Sequence, residues 1–351
     1  MKKSLLSLTA VLLNIACTDE ATECRNLYDA EQFSEALTVC EKACNMNNGN
    51  GCLTIGELYR NGQGVKQDYQ QAKIYFEKAC NMNNGNGCLN IGKLYYNGQG
   101  VKQDYQQVKI YIEKACNMNN GSGCYNLGVL YDNGQGVKQD YQQAKTYYEK
   151  ACNLKEGLGC INLGVLYEYG HGVTRDYQQA KTYNEKACNL NYGLGCRNLG
   201  VLYEYGHGVT LDYHQAKTYF EKACNMYDES GCFNLGHLYI NGHGVRQDYQ
   251  QAGTYFEKAC NLSNGSVCIF IGNLYADGQG VKQDYHQAKT YYEKACNLNY
   301  GLGCRYLGNL YENGEGVRQN YQTAKEYYGK ACDLGHQGGC DIYRELNQKG
   351  Y

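Results

Sequence analysis

The sequence predicts an all-α protein, an α/α solenoid built from repeated helical hairpins, and three observations support this fold class. Two cysteines eight positions apart occur nine times, and successive pairs follow at a constant period of 36 residues. Each period contains two stretches with apolar residues at helical spacing. A unit this short cannot bury enough apolar surface alone, so we expect the units to stack into one elongated body.

The first segment, residues 1–17, is predicted to be an export signal. Lys2 and Lys3 precede an apolar run that is too short to span a bilayer permanently. Cys17 is the odd one of 21 cysteines, and cleaving the signal or attaching a lipid to Cys17 leaves 20. Because Asn14 stands where a lipoprotein signal has a large aliphatic residue, simple cleavage ranks above lipid anchoring.

The next segments are a capping hairpin at 18–44, eight repeats at 45–332 and a polar capping helix at 333–351. In the repeat Asn117–Cys152, we name the first predicted helix A and the second helix B. Their expected core residues are Cys124, Leu127, Leu130 and Tyr131 in helix A, and Ala144, Tyr148, Ala151 and Cys152 in helix B.

Glycines end helix A, and an aspartate begins helix B. Gly134 supplies the positive φ that terminates a helix, and Asp140 is the expected N-cap, with Gln143 reaching back as in a capping box. Asn320 replaces the aspartate in the last repeat and is still able to cap.

The cysteines predict a disulfide framework in an oxidising compartment. One cysteine closes helix B and the other opens the next helix A, which brings their β-carbons within bonding reach, although pairing across a hairpin, as Cys52 with Cys80, stays open. Seven intervening residues do not fit a zinc site, so no metal or other cofactor is expected. The twenty cysteines are Cys24, Cys40, Cys44, Cys52, Cys80, Cys88, Cys116, Cys124, Cys152, Cys160, Cys188, Cys196, Cys224, Cys232, Cys260, Cys268, Cys296, Cys304, Cys332 and Cys340.

Charge and composition limit the partners. The net charge is −2, from 33 basic and 35 acidic residues, and no basic stripe is present, so nucleic acid is disfavoured. The chain has 44 Gly, 38 Tyr and no Pro or Trp, which predicts a thin, tyrosine-rich core that depends on its covalent bridges.

The repeat motif resembles a known family. The pattern G-x-G-C-x-N-L-G-x-L-Y-x-x-G-x-G-V at Gly121–Val137, followed by D-Y-x-Q-A-K-x-Y-Y-E-K-A-C at Asp140–Cys152, is similar to the Sel-1-like repeat, a relative of the tetratricopeptide repeat. The cysteine spacing resembles that of the Helicobacter cysteine-rich proteins. This resemblance covers Cys24 to about Tyr351, and it implies a secreted protein that binds penicillin and slowly hydrolyses β-lactams.

The residues themselves assign no catalytic group. No serine of the mature chain (Ser34, Ser122, Ser230, Ser263 and Ser266) is followed by Lys three residues later. Lys-Thr-Tyr recurs at Lys145, Lys181, Lys217 and Lys289 without the glycine of a K-T-G motif, as expected for a solvated helix face. His171, His207 and His243 stand 36 residues apart in the sequence. Neighbouring histidines are therefore expected to lie one repeat, roughly 10 Å, from each other, which is too far to share one metal.

Binding has a clearer candidate in helix A. The same position carries an asparagine in five consecutive repeats, at Asn90, Asn126, Asn162, Asn198 and Asn234. By resemblance this helix lines a concave groove, where one amide would hold a peptide backbone about every third residue. The alternative is that each amide bonds a carbonyl of a neighbouring repeat. The position three residues later varies, as Val129, Val165, Val201, His237 and Asn273.

A second candidate site is the pair Glu168/Tyr169 with its counterpart Glu204/Tyr205, although recent duplication of two nearly identical repeats explains it more simply.

From the whole sequence we expect an exported solenoid, secreted or periplasmic, that binds an extended peptide, a protein tail or a cell-wall fragment. Slow β-lactam hydrolysis is the enzymatic alternative, and a purely structural spacer is the third. No stable membrane span is expected.

Overall fold

A computed structural model describes residues 20–262 and 264–351, and these residues form helices and turns but no strand. The predicted signal and Cys17 lie outside the described residues. The chain divides into two compact units, one ending at Lys186 and the other spanning Ala187–Tyr351.

The first unit contains paired helices separated by short turns. They are α1 (residues 20–29), α2 (Phe33–Asn45), α3 (Gly49–Asn61), α4 (Tyr69–Asn81), α5 (Gly85–Asn97), α6 (Tyr105–Asn117), α7 (Gly121–Asn133), α8 (Tyr141–Asn153), α9 (Gly157–Tyr169) and α10 (Tyr177–Asn189), which contains the boundary. Each helix from α2 to α8 packs against the next, and α3, α5, α7 and α9 also contact one another in order.

The second unit repeats the same pattern. Its further helices are α11 (Gly193–Tyr205), α12 (Tyr213–Asn225), α13 (Glu229–Asn241), α14 (Tyr249–Asn261), α15 (Gly265–Asp277), α16 (Tyr285–Asn297), α17 (Gly301–Asn313), α18 (Tyr321–Asp333) and α19 (Gln337–Gln348). Consecutive helices again pack together. Both units are therefore stacks of helical hairpins, and the predicted all-α solenoid fold is confirmed.

The core of a hairpin lies between helix A and helix B, as α7 and α8 illustrate. Leu127 and Tyr148 are fully buried between them. The helices approach closely because α7 has Gly128 at the contact, where an added β-carbon would lie 2.5 Å from the Tyr148 ring. Of the predicted core residues in this repeat, Tyr131 alone remains partly exposed.

The turn between the two helices follows the sequence prediction with one correction. Gly134 ends α7 with φ of 69°, and Asp140 Oδ1 accepts hydrogen bonds from the backbone N–H groups of Gln142 and Gln143 at 2.9 and 3.1 Å. The predicted capping-box bond from the Asp140 N–H to the Gln143 side chain was wrong. The Asp140 N–H instead donates to the Tyr131 carbonyl at 2.9 Å. Asn320 does cap α18, accepting from the Thr323 N–H.

The cysteines pair along the chain, and ten disulfides join consecutive helices. Cys52 bonds Cys44 and not Cys80, so the pairing across a hairpin is excluded. The Cα atoms of each pair lie 4.4 to 4.9 Å apart, as disulfides require. The other pairs are Cys24–Cys40, Cys80–Cys88, Cys116–Cys124, Cys152–Cys160, Cys188–Cys196, Cys224–Cys232, Cys260–Cys268, Cys296–Cys304 and Cys332–Cys340. So many bridges indicate an extracytoplasmic protein.

The C-terminal helix covers the last hairpin. Leu346 of α19 is 1% exposed and packs in one cluster with Ala324 and Tyr328 of α18. Across residues 20–262 and 264–351, no helix is both long enough and apolar enough to cross a bilayer.

Candidate functional site

The five asparagines of the candidate site occupy equivalent positions in helix A. Asn90, Asn126 and Asn162 lie on α5, α7 and α9 of the first unit, and Asn198 and Asn234 lie on α11 and α13 of the second. Asn90 is only 7% exposed, whereas the other four are partly exposed. The amides therefore lie at the border between the core and the surface.

Internal partners hold three of these amides. Asn90 Oδ1 accepts a hydrogen bond from Arg60 Nη1 of the preceding repeat at 3.2 Å. Asn126 Nδ2 donates to the Ser122 carbonyl of its own helix at 2.7 Å, and Asn162 interacts with the hydroxyl of Tyr148 in the preceding repeat. The alternative prediction was that each amide bonds a carbonyl of a neighbouring repeat. Asn90 and Asn126 make the contacts above instead.

Two of the asparagines in the first unit line clefts between consecutive copies of helix A. Asn90 borders a cavity of about 510 Å³ with Arg60 and Lys93. Asn126 borders one of about 310 Å³, which is also lined by Tyr96 of the preceding helix A and by Val129. The variable position that the sequence singled out thus shares a cleft with the repeated amide.

A larger set of candidates meets in the second unit. Asn234 and His237 of α13 line a cavity of about 520 Å³ together with Glu204 and Tyr205 of α11. This cleft joins the asparagine position and the Glu/Tyr pair, which the sequence treated as separate sites. Tyr205 is 63% exposed and is available to a partner at the rim.

Burial shifts the pKa values of two groups in this cleft. Desolvation raises the pKa of the Glu204 carboxyl, and the nearby His243 opposes that rise. Desolvation also lowers the pKa of His237, whose ring lies 4.5 Å from Phe233 and 5.7 Å from Phe270, centroid to centroid. The cleft therefore offers an amide, a carboxyl group and an uncharged imidazole at neutral pH.

The sequence missed the aromatic groups that support helix A. Tyr131 of α7 stacks on Tyr147 of α8 at 5.6 Å between ring centroids, and the same pair recurs in every repeat. The regular spacing of tyrosines in the sequence was the available signal. The other pairs are Tyr59–Tyr75, Tyr95–Tyr111, Tyr167–Tyr183, Tyr203–Tyr219, Tyr239–Tyr255, Tyr275–Tyr291 and Tyr311–Tyr327.

The serine and histidine candidates make contacts of different kinds. Ser122 donates its hydroxyl hydrogen to Glu156 Oε2 at 2.6 Å, a contact between repeats that the sequence did not predict. His171 is exposed in its turn and stacks on Tyr141 at 5.1 Å, as expected of a residue on the turn surface. Within the described ranges, no group of three or more His, Cys, Asp or Glu residues is placed to hold a metal ion.

Comparisons with known proteins agree with this architecture. A family model described as Sel1 repeat matches eight segments, 51–84, 85–120, 121–156, 157–192, 193–228, 230–264, 266–300 and 301–336. No curated protein matches the chain. Among solved structures, the chain is similar to a protective antigen of uropathogenic Escherichia coli that displays an SLR fold, with 28% identity and a TM-score of 0.65 over 89% of this chain and 67% of that one.

Two further solved structures are similar. A Sel1 repeat protein from Oxalobacter formigenes has 20% identity and a TM-score of 0.61, covering 88% of this chain and 89% of that one. The cysteine-rich protein B of Helicobacter pylori is 41% identical over 38% of this chain and 97% of that one, with a TM-score of 0.32. On sequence identity, the resemblance to the Helicobacter cysteine-rich proteins is confirmed.

Proposed function

This chain belongs to the Sel1 repeat family, and from that premise we propose that it is a scaffold that binds an extended polypeptide along helix A of successive repeats. Repeat proteins of this kind generally bind proteins or peptides on surfaces formed by stacked helices. The main support is that Asn90, Asn126 and Asn234 each line a cleft between consecutive copies of helix A.

The amides suit a peptide backbone. An asparagine side chain has two donor hydrogens and an acceptor oxygen, so one internal bond, such as that of Asn126 to Ser122, leaves capacity for a ligand. Stacked hairpins advance roughly 10 Å per repeat, about the length of three extended residues. Within each unit, neighbouring clefts would therefore hold every third residue of a bound peptide.

The clefts differ in the side chains beside the amide, and this would give specificity. Arg60 and Lys93 make the cleft at Asn90 basic, which favours an acidic or carbonyl-rich segment. Val129 and Tyr96 give the next cleft an apolar wall. A partner with alternating acidic and apolar residues fits this order in the first unit.

A peptide array on the purified, oxidised protein tests this proposal. We expect the double substitution Asn90→Ala and Asn126→Ala to weaken the best peptide at least tenfold, while Asn153→Ala, an exposed asparagine at the end of a helix B, has no effect. Thermal unfolding checks that each variant folds. Unchanged binding by the folded double variant would refute a role for these amides.

Secretion or periplasmic residence is part of the same proposal. The N-terminal residues 1–17 would be removed during export, and the boundaries at 44, 45, 332 and 333 would separate the caps from the repeats. Mass spectrometry of the protein from the culture medium and from the periplasm tests its location and the removal of residues 1–17. An intact N-terminus in both fractions would contradict cleavage.

β-Lactam hydrolysis remains a second candidate because of one contact. The Ser122 hydroxyl donates to the Glu156 carboxylate at 2.6 Å, which pairs a nucleophile with a proton acceptor. If this pair is catalytic, nitrocefin turnover by the folded protein is lost in Ser122→Ala and kept in Ser266→Ala. Turnover that survives Ser122→Ala, or none in the unaltered protein, would exclude this assignment.

A further inference from the structure

One position of helix B carries a different residue in α14 than in the other repeats. This residue lines a cavity. Seven repeats carry a lysine there, and α14 carries Gly253 instead. The lysines are Lys73, Lys109, Lys145, Lys181, Lys217, Lys289 and Lys325.

Lys73 shows how such a lysine bridges two repeats. Lys73 Nζ lies 2.7 Å from Glu77 Oε1, four residues later on α4, and 5.9 Å from the ring centroid of Tyr95 in the next repeat. Lys289 likewise lies 2.7 Å from Glu293. The ammonium group therefore sits between a carboxylate of its own helix and the stacked tyrosines of the following hairpin.

At Gly253 the ammonium is missing while its surroundings are retained. Glu257 stands four residues later on α14, and Tyr275 stacks on Tyr291 in the next hairpin at 5.8 Å. A β-carbon added to Gly253 would meet no atom within 4 Å. All of these residues line one cavity of about 650 Å³ in the second unit.

Apolar surface also lies open in this cavity. Leu274 lines the cavity and is partly exposed, whereas its counterparts in the other repeats are buried. Those counterparts are Leu58, Leu94, Leu130, Leu166, Leu202, Leu238 and Leu310. An alkyl chain that enters the cavity would cover Leu274, as lysine stems cover apolar surface in general.

The charges that line the cavity favour a cation. Glu257 and Asp284 contribute two carboxylates, against one ammonium group from Lys282. Burial, Glu257 and Tyr275 raise the pKa of the Tyr291 hydroxyl to about 12, so this hydroxyl adds no charge to the cavity at neutral pH.

We propose that this cavity binds a primary alkylammonium group, with the cation between Glu257 and the Tyr275 ring and the alkyl chain on Leu274. The ligand would replace the lysine side chain that the other repeats supply from within. The site lies on helix B and does not depend on the asparagine clefts. Since it offers one exposed carboxylate and one aromatic contact, we expect weak binding, with a dissociation constant on the order of 30 mM for a simple amine.

NMR titration of the oxidised protein with ¹³C-methyl-labelled leucine tests the site. We expect n-butylammonium to shift the Leu274 methyl signals in a saturable way, and the neutral analogue 1-butanol, at equal ionic strength, to leave them unchanged. Gly253→Lys should abolish the shift, Gly253→Ala should keep it, and Glu257→Gln should weaken binding at least threefold. Equal responses to amine and alcohol, or full binding to Gly253→Lys, would overturn the proposal.

A matched gain of function sharpens the test. Lys289→Gly leaves Glu293 and the Tyr311–Tyr327 stack in place, so it should create a second site reported by the Leu310 methyl groups. A folded Lys289→Gly variant without that site would contradict the role given to the missing lysine.

A blocked tripeptide with central lysine identifies the source of the amine. Binding at least tenfold tighter than n-butylammonium indicates a polypeptide lysine, and equal binding indicates a free amine.

Discussion

Gly164 of α9 faces the fully buried Asn184 of α10, and a β-carbon added to Gly164 would lie 3.0 Å from Asn184 Nδ2. The other seven repeats place a large apolar or aromatic side chain at the position of Asn184. These residues are Phe76, Ile112, Tyr148, Phe220, Phe256, Tyr292 and Tyr328. The hairpin of α9 and α10 thus buries a polar amide where the other repeats bury an apolar or aromatic side chain.

We expect Asn184→Phe to raise the free energy of unfolding by about 1–2 kcal/mol, because a phenyl ring buries more apolar surface and no amide is desolvated. The ring should fit, since Phe220 packs in the same way against Gly200. Urea unfolding measures the change. The reverse control, Phe220→Asn, should lower stability by about 3 kcal/mol or more, and a less stable Asn184→Phe would show that this hairpin cannot admit the ring.

The disulfides are expected to contribute according to the loop that each one closes. Replacing both Cys116 and Cys124 with Ala should lower the free energy of unfolding by about 2.5 kcal/mol, from the loop-entropy model for an eight-residue separation. Replacing Cys24 and Cys40, which are 16 residues apart, should cost about 3 kcal/mol.

Urea unfolding of the two double variants, beside the oxidised parent, checks this ordering. Because stacked repeats often unfold in more than one step, the transition that reports the altered hairpin is the one to compare. A larger loss for Cys116/Cys124 than for Cys24/Cys40 would contradict loop entropy as the main source of stabilisation.

The sequence predicted the regular features of this protein and missed those that depend on one repeat. The period of 36 residues and the caps at Gly134 and Asp140 follow from local chemistry, so helices and bridges were predictable. The cleft at Asn234 was not, because it requires the packing of α11 against α13. The cavity at Gly253 shows in the sequence as one substitution, but its meaning depends on where Lys73 and its counterparts point.

The N-cap of helix B offers a local test. Asp140→Ala should lower the free energy of unfolding by about 1 kcal/mol, because the carboxylate oxygen accepts from two backbone N–H groups that have no partner within the helix. Asp140→Asn should cost less than about 0.5 kcal/mol, since Asn320 performs the same function in α18. Thermal unfolding of the pair measures the difference, and equal losses for Ala and Asn would mean that the capping bond contributes little.

His237 is expected to make the stability of the second unit depend on pH. Its imidazole packs among Phe233, Phe256 and Phe270, and desolvation holds its pKa below the ordinary value of about 6.5. The unfolded chain therefore binds a proton more readily than the folded one. The stabilising contribution is complete above about pH 6.5 and is lost as the pH falls from there toward the depressed pKa.

The matched variant is His237→Val, because valine occupies this position in three other repeats. Glu204 and His243, which share the cleft, are present in both proteins, so the difference between the two melting curves isolates His237. Between about pH 7.5 and about pH 5, the melting temperature of the unaltered protein should fall relative to that of His237→Val. Parallel curves would show that the ring is protonated as easily in the folded protein as in the unfolded chain, and that the phenylalanine cluster does not exclude the charge.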